Sequence, residues 1–498
     1  MDLDRRRFPA LARTQEGCPV VYLDGPGGSQ MVDLAIDAQA VCARSGMANR
    51  HAASSTSRET DELVDVARLG MARFLGAAPS GVVFGANMTT LAFALARTLA
   101  RGWAPGGEVV VTELDHRANV DPWRAAAEDR GLALRWVPVD PASCTLDLAA
   151  LEAAIGPRTV LVAVGLASNV VGTVTDVAAI AEAAHRVGAR VAVDAVHAAP
   201  HIPVDAGELG ADLLFCSSYK FFGPHLGIAA LAPALAGELE PYKVAPAPDG
   251  APECFETGTQ SFEALAGLLG ALAFLGELGG EAPGALGWLG STGPGGLGRY
   301  RPEGSGELDR DGPEGSGALD RNGPEGSGER GGSGCPDGSG ALGGQSFAGW
   351  SVPSEAALRR ALARTETEEG VLAERLRGGL AEIPGLELVG PPAGVRRTPT
   401  VAFRLGYRSP RQVATALAEE GIFVGDGDFY ASSLIRRLGF DADGGVVRMG
   451  LAPYNTAAEV DRTLDAVRRI AAGSPRDLAA RVGAPGGGRA TSEPGGAR

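Results

Sequence analysis

The sequence predicts an α/β protein: a large domain built on a parallel sheet, followed by a smaller α+β domain. Three observations carry that class. Four aliphatic runs, EVVVTEL, TVLVAVGLASN, RVAVDAVHA and DLLFCSSYKFFGP, alternate with amphipathic stretches of helix length. Strands covered on both faces read as continuous apolar runs, and the strand–helix alternation implies a parallel sheet. From Glu355 onward the pattern changes to strands with helices on one side. The glycine excess is local: residues 281–350 hold 23 of the 73 glycines, so the rest of the chain has an ordinary globular composition. The 498 residues are enough for one large and one small domain with a substantial core.

In chain order, residues 1–30 end in VVYLDGPGGSQ, a short β-like run and a Gly/Pro turn, and read as a segment packing on the small domain and the site. Residues 31–280 form the large domain. Leu63 to Leu75 has helical spacing, and SGVVFGANMTTLAFALARTLA reads as a strand, a turn at Gly85 and a helix opening near Asn87. Residues 281–350 contain PEGSGELDRDG, PEGSGALDRNG and PEGSGERGGSG in tandem, an 11-residue period with few apolar side chains. That composition predicts a disordered, solvated insertion, and its period is too short for a helical array. Residues 351–475 form the small domain. It has a long helix from Glu355, strands LELVG and PTVAFRLG, a helix from Ser409 to Glu420, GIFVGDGDFY, the strand GVVRMG, and a helix from Ala457 to Ala472. Residues 476–498 read as a disordered tail.

The net charge of −15 argues against a general nucleic-acid binder, which needs a basic stripe. No apolar run reaches the ~18–20 residues that span a bilayer, so no membrane association is expected. MDLDRRRFPALART lacks the apolar segment of a secretory signal. The six cysteines are scattered without metal-ligand spacing, which reads as free thiols in a reducing cytoplasm. No metal is expected.

Ligands of an open parallel sheet bind beyond the carboxyl ends of its strands. His116 follows the first of the four runs, and Asn169 the second. Asp194 ends the third, with His197 three residues later. Ser217, Ser218, Tyr219 and Lys220 follow the fourth. An amine, a carboxylate, imidazoles, an amide and hydroxyls in one cleft suit pyridoxal 5'-phosphate. That cofactor needs a lysine for imine formation, a carboxylate on its ring nitrogen, and donors for its phosphate. The helix opening at Ala86, Asn87 and Met88 offers backbone N–H groups to a phosphate.

Taken together, seven segments carry a resemblance. YLDGPGGSQ, ELDHRANVDPW, ASNVVGT, VDAVHA, SSYKFFGP, FETGTQS and VRMGLAPYNTAAEVDR occur in order between Tyr22 and about Ile470. They resemble the motifs of the class V aminotransferase family of fold-type I pyridoxal-phosphate enzymes, within its cysteine desulfurase-like subgroup. The resemblance implies a large domain with a mixed, mostly parallel sheet. It implies that Lys220 holds the cofactor and moves the substrate's α-proton, that Asp194 pairs with the ring nitrogen, and that His116 stacks on the ring. Asn169 would orient the substrate or the ring edge, and His197 would bond the cofactor's 3-oxygen. Ala86, Asn87, Met88, Ser217 and Tyr219 would serve the phosphate. Gly258 and Thr259 would reach the phosphate of a partner subunit, implying a homodimer with shared sites. Arg448 would clamp the carboxylate of a small amino-acid substrate as a bidentate fork.

One departure from the family matters for the reaction. Its sulfur-accepting cysteine lies in a stretch that here reads GIFVGDGDFYASSL, from Gly421 to Leu434, with Tyr430 at about that place and Gly425 where the family has an arginine. Persulfide chemistry needs a thiolate there. The expectation is therefore a lyase acting by elimination. An aminotransferase, an isopenicillin-N-epimerase-like racemase and a non-catalytic binding partner are the alternatives. Deletion of residues 300–345 is expected to leave folding and cofactor binding nearly unchanged, because loop closure costs little per added residue. Size-exclusion chromatography and the visible band of the bound cofactor test this; loss of the soluble dimer refutes it.

Overall fold

The computed structural model describes residues 3–282 and 352–473. Apart from Glu281 and Ala282, the insertion expected over 281–350 and the tail expected over 476–498 lie outside the described residues. The large sheet has seven strands: β1 (Val82–Gly85), β2 (Glu108–Thr112), β3 (Ala133–Val137), β4 (Thr159–Gly165), β5 (Arg190–Asp194), β6 (Leu213–Ser217) and β7 (Gly227–Leu231). Their order is β1-β7-β6-β5-β4-β2-β3. Strands β2 to β6 run parallel, and β7 is antiparallel to both β6 and β1. The sheet is thus mixed and mostly parallel.

Two of these strands were not separate elements in the sequence reading. Strand β3 is an edge on which only Val137 is buried, so it shows no aliphatic run. Strand β7, GIAAL, returns directly after a turn and is built largely from small residues. A Cβ on Gly227 would collide with the backbone of Asn87, so the first residue of β7 must be glycine for the two to approach.

The parallel order places the topological switch between β2 and β4, because the chain moves outward to β3 and then returns to the far side of β2. A cleft opens at such a point beyond the carboxyl ends. The longer helices around the sheet are α1 (Asp33–Ser45), α2 (Ser55–Leu75), α3 (Met88–Ala100), α4 (Asp121–Arg130), α5 (Val177–Arg186) and α6 (Phe262–Leu278). Helix α2 begins earlier than its hydrophobic spacing alone indicated, because Ser54 caps it. Fourteen of the seventeen residues of α6 are buried, so it is apolar all round and shows no single face. Among the described residues no helix is long and apolar enough to cross a membrane.

The second region comprises α7 (Glu355–Ala381), β8 (Leu386–Val389), β9 (Thr400–Leu405), α8 (Pro410–Glu419), β10 (Gly425–Gly427), β11 (Val446–Gly450) and α9 (Ala457–Ala472). Its sheet has the antiparallel order β8-β9-β11-β10. Capping boxes at Ser409 and Thr456 start α8 and α9 where the sequence placed them. The N-terminal segment joins this region: Val21 and Tyr22 pair in parallel with Ile422 and Phe423, and Asp24 bridges to Gly450.

A buried ion pair locks α2 to the sheet. Arg68 donates through Nη1 to Glu256 Oε1 (2.8 Å) and to the Val82 carbonyl (2.6 Å), and through Nη2 to Glu256 Oε2 (2.6 Å). Glu256 also accepts from Phe84 N–H at 2.8 Å and from Gln260 at 2.6 Å. Both side chains are more than nine-tenths buried. Removing one partner strands the other charge in the core, so Glu256→Ala is expected to destabilise the fold by about 3–5 kcal/mol. Denaturant unfolding measures it, and a loss below about 1 kcal/mol contradicts the assignment.

Candidate active site

The carboxyl ends of the sheet surround one cavity of about 330 Å³. Each strand delivers its chemistry by ending. Strand β5 ends on Asp194 and β6 on Ser217, with Tyr219 and Lys220 in the single helical turn that follows. His116 stands in the loop after β2, and Asn169 in the loop after β4. Arg448 comes from β11 in the small region.

Lys220 is the centre of the site. Its Nζ donates to the Pro26 carbonyl in the N-terminal segment and lies 5.0 Å from the Tyr219 ring centre. Burial, then the positive charge of Arg448, lowers its pKa to about 7, against a smaller opposing pull from Asp194. Asp194 is buried; burial raises its carboxyl to about 6, although Val196 N–H donates to it at 2.8 Å. A protonated ring nitrogen would supply the counter-charge this carboxylate lacks.

His116 accepts the Ala118 N–H through Nδ1 at 3.0 Å. Burial, then the charges of Lys220 and Arg448, lowers its pKa to about 4. The ring is therefore neutral at pH 7 with its proton on Nε2. His197 is also held neutral, well below the usual imidazole range, by burial. Its Nε2 is committed to the hydroxyls of Thr398 and Thr400, each at 3.0 Å. Only its other ring nitrogen could meet a cofactor oxygen.

Arg448 is pinned from three sides. Nη1 donates to the Asn169 carbonyl at 2.7 Å, the Phe429 ring lies 3.8 Å from its central carbon, and the Asp24 carboxyl acts on it electrostatically. Burial lowers its pKa to about 9, which leaves it charged at pH 7. Among the described residues, three buried polar atoms here have no partner: Arg448 Nε, Asn169 Oδ1 and Asp24 Oδ1. Buried polar groups are normally paired, so an unpaired donor on an arginine beside a cleft fits a carboxylate ligand.

The phosphate end fits as well. Asn87 caps α3 by accepting from Thr90 N–H at 2.9 Å, and Met88 and Thr89 of the first helical turn line the cavity. Their N–H groups have no intrahelical partners, the usual anion site. Ser217 adds a hydroxyl. Tyr219 stacks on His225 with ring centres 4.9 Å apart. The donor set, the desolvated lysine and the unpaired carboxylate together fit pyridoxal phosphate.

Of the residues assigned from sequence, His116, Asn87, Met88, Asn169, Asp194, His197, Ser217, Tyr219, Lys220 and Arg448 line this cavity. Ala86 sits beside it without lining it. Gly258 and Thr259 are exposed and do not line it; their assigned role was toward a second subunit. The sequence reading missed Asp115 and Phe429. Asp115 is fully buried, accepts from Thr112 Oγ1 (2.5 Å) and Asn119 Nδ2 (3.3 Å), and is raised to about 7 by burial. Its signal was present in ELDHRAN, one residue before His116. Phe429 gave no signal, because its position depends on a backbone turn. None of the lining residues is a cysteine.

Comparison with known proteins agrees with this geometry. The profile of the family described as Aminotransferase class-V matches residues 21–284 and 355–463. A probable cysteine desulfurase of Mycolicibacterium paratuberculosis is 31% identical over 488 residues, covering 94% of this chain and 58% of that protein. A cysteine desulfurase of Klebsiella pneumoniae is 27% identical over 485 residues, covering 94% and 97%. This chain spans 58% and 65% of the length of the first two curated relatives it matches. Among solved structures, the cysteine desulfurase of Thermococcus onnurineus superposes with a TM-score of 0.72 at 22% identity, covering 95% of this chain and 98% of that one. The chain belongs to the class-V aminotransferase family of pyridoxal-phosphate-dependent enzymes.

Proposed function

We propose that the protein is a lyase acting by elimination on an α-amino acid, as a homodimer, without an enzyme-bound persulfide. The observation that carries this reading is the cavity itself. Lys220, Asp194, His116 and Arg448 converge there, while the turn that resembles the family's sulfur-acceptor loop presents Phe429 and Tyr430 and no thiol.

Pyridoxal phosphate, when bound, supplies an electron sink for negative charge developing at the substrate's α-carbon. The Asp194 carboxylate would hold a proton on the ring nitrogen by charge pairing. Neutral His116 would lie over a ring face and would add no competing positive charge. Arg448 would take the substrate carboxylate through its guanidinium, which lines the cavity, and so orient the α-C–H bond. Lys220 Nζ, held toward neutrality by burial and the Arg448 charge, would accept the α-proton and pass it to the departing side-chain group. The remaining carbon skeleton would leave as keto acid and ammonia after hydrolysis. Gly258 and Thr259 extend toward the second subunit's phosphate in this reading.

A panel of β-substituted amino acids tests it, with keto acid, ammonia and released leaving group assayed together. Keto acid and ammonia are expected in equal amounts with no added keto-acid acceptor, and iodoacetamide treatment should leave turnover unchanged. Abolition of turnover by alkylation, or transfer of the amino group to an added acceptor, refutes the elimination reading.

Lys220→Ala should lose the cofactor's visible band. Arg448→Ala should keep the band and weaken amino-acid binding by tenfold or more. A band lost in Arg448→Ala would reassign that arginine.

The pH dependence follows from Lys220. Only the neutral amine attacks an aldehyde, and the amine is neutral above its pKa. Uptake of pyridoxal phosphate by the cofactor-free protein should therefore accelerate as pH rises, with a midpoint near 7 rather than near 10.5. Removing the Arg448 charge should move that midpoint upward. Stopped-flow absorbance reads both, and a pH-independent rate between 6 and 9 contradicts the prediction.

A further inference from the structure

The turn at Phe429 and Tyr430 is the least expected feature of the cavity. Both residues adopt left-handed backbone, with φ of 53° and 57°. Bulky residues rarely do so, because the Cβ then crowds the backbone. The strained turn is tied down from the large domain: Asn169 Nδ2 donates to the Phe429 carbonyl at 2.9 Å, and Arg117 N–H donates to the Tyr430 carbonyl at 2.7 Å. Asp428 accepts from Tyr430 N–H at 3.0 Å.

The turn delivers two rings. Phe429 covers one face of the Arg448 guanidinium. It occupies the space that a side chain at 425 would need, since a Cβ on Gly425 would lie 2.7 Å from its ring. Tyr430 lies against His116, with ring centres 5.4 Å apart and tilted by 41°, and lines the cavity mouth. Yet Tyr430 is 72% exposed. An aromatic ring held in strained backbone at a cavity mouth, with most of its surface uncovered, lacks the apolar partner that such rings gain most from.

We propose that Tyr430 is a specificity-determining residue, and that its ring receives the side chain of the bound amino acid, so that the site favours α-amino acids with a flat aromatic side chain. This rests on the function proposed above. With the substrate carboxylate on Arg448 and its amine toward Lys220, the side chain would meet the part of the lining that Tyr430 forms beside His116. Ring against ring there adds favourable stacking to burial of apolar surface. The phenol hydroxyl has no part in it.

Dissociation constants for L-phenylalanine and L-alanine are to be measured with the holoenzyme, from the change each causes in the cofactor's visible band. Wild type, Tyr430→Phe and Tyr430→Ala are compared, and melting temperatures check the fold. Wild type should bind phenylalanine at least tenfold more tightly than alanine. Tyr430→Phe should keep that ratio within twofold. Tyr430→Ala should weaken phenylalanine about tenfold and alanine less than twofold. Equal affinities in wild type overturn the inference without touching the proposed function. So does equal weakening of both amino acids in Tyr430→Ala, or a loss in Tyr430→Phe as large as that in Tyr430→Ala. A protein that binds no cofactor at all would sink the proposed function, and this inference with it.

Discussion

Two cations, Lys220 and Arg448, share one desolvated cleft, and much of the site's construction answers that constraint. Burial penalises both charges, and the Arg448 charge further disfavours charge on Lys220. The nearby carboxylates compensate only in part, because Asp194, Asp24 and Asp115 are themselves raised by burial. The folded protein therefore holds electrostatic strain that an anionic ligand relieves. A phosphate at the start of α3 and a carboxylate at Arg448 would each bring negative charge where it is missing. Ligands of that kind also stabilise the fold by mass action.

Holding the two cations together requires two separate parts of the chain. Lys220 hangs from the end of β6, whereas Arg448 lies within β11 of the small sheet. The N-terminal segment joins them. Its Pro26 carbonyl accepts from Lys220, its Asp24 faces Arg448, and its Tyr22 carbonyl accepts from Asn455 at 3.0 Å. Any side chain at position 450 would collide with Pro26, so the close crossing of this segment over β11 depends on Gly450. The sequence YLDGPGG is thus a strap whose backbone matters as much as its side chains.

What could be read from the sequence follows from burial. Strands β2, β4, β5 and β6 are covered on both faces, so EVVVT, TVLVAVG, RVAVD and LLFCS are unbroken apolar runs whose polar ends mark the cleft. Position and chemistry coincided there, and His116, Asn169, Asp194 and Lys220 were all legible. Strand β3 escaped because an edge buries little, and α6 because a helix buried all round has no period. The Phe429–Tyr430 turn escaped for a different reason. Left-handed backbone is read from glycine or asparagine, and neither residue is there. Its conformation is imposed by Asn169 and Arg117, more than two hundred residues away in sequence. Local rules cannot anticipate a turn held by tertiary hydrogen bonds.

The joint between α6 and α7 is closed by the described residues on either side of it. The chain leaves the described structure at Ala282 and re-enters at Val352, and the two ends are latched to each other. Ser354 N–H donates to Glu281 at 3.0 Å, Arg360 donates to the Gly279 carbonyl at 2.9 Å, and Arg73 of α2 donates to the Val352 carbonyl at 3.0 Å. A Cβ on Gly279 would collide with the Ala357 backbone, which measures how closely the end of α6 approaches the start of α7. The core thus closes the loop by itself, and what remains is an entropy that grows only with the logarithm of loop length. The latch lies on Glu281, Gly279 and Ser354, none of which lines the cavity. The joint between α6 and α7 is thus held together apart from the arrangement of Lys220 and Arg448.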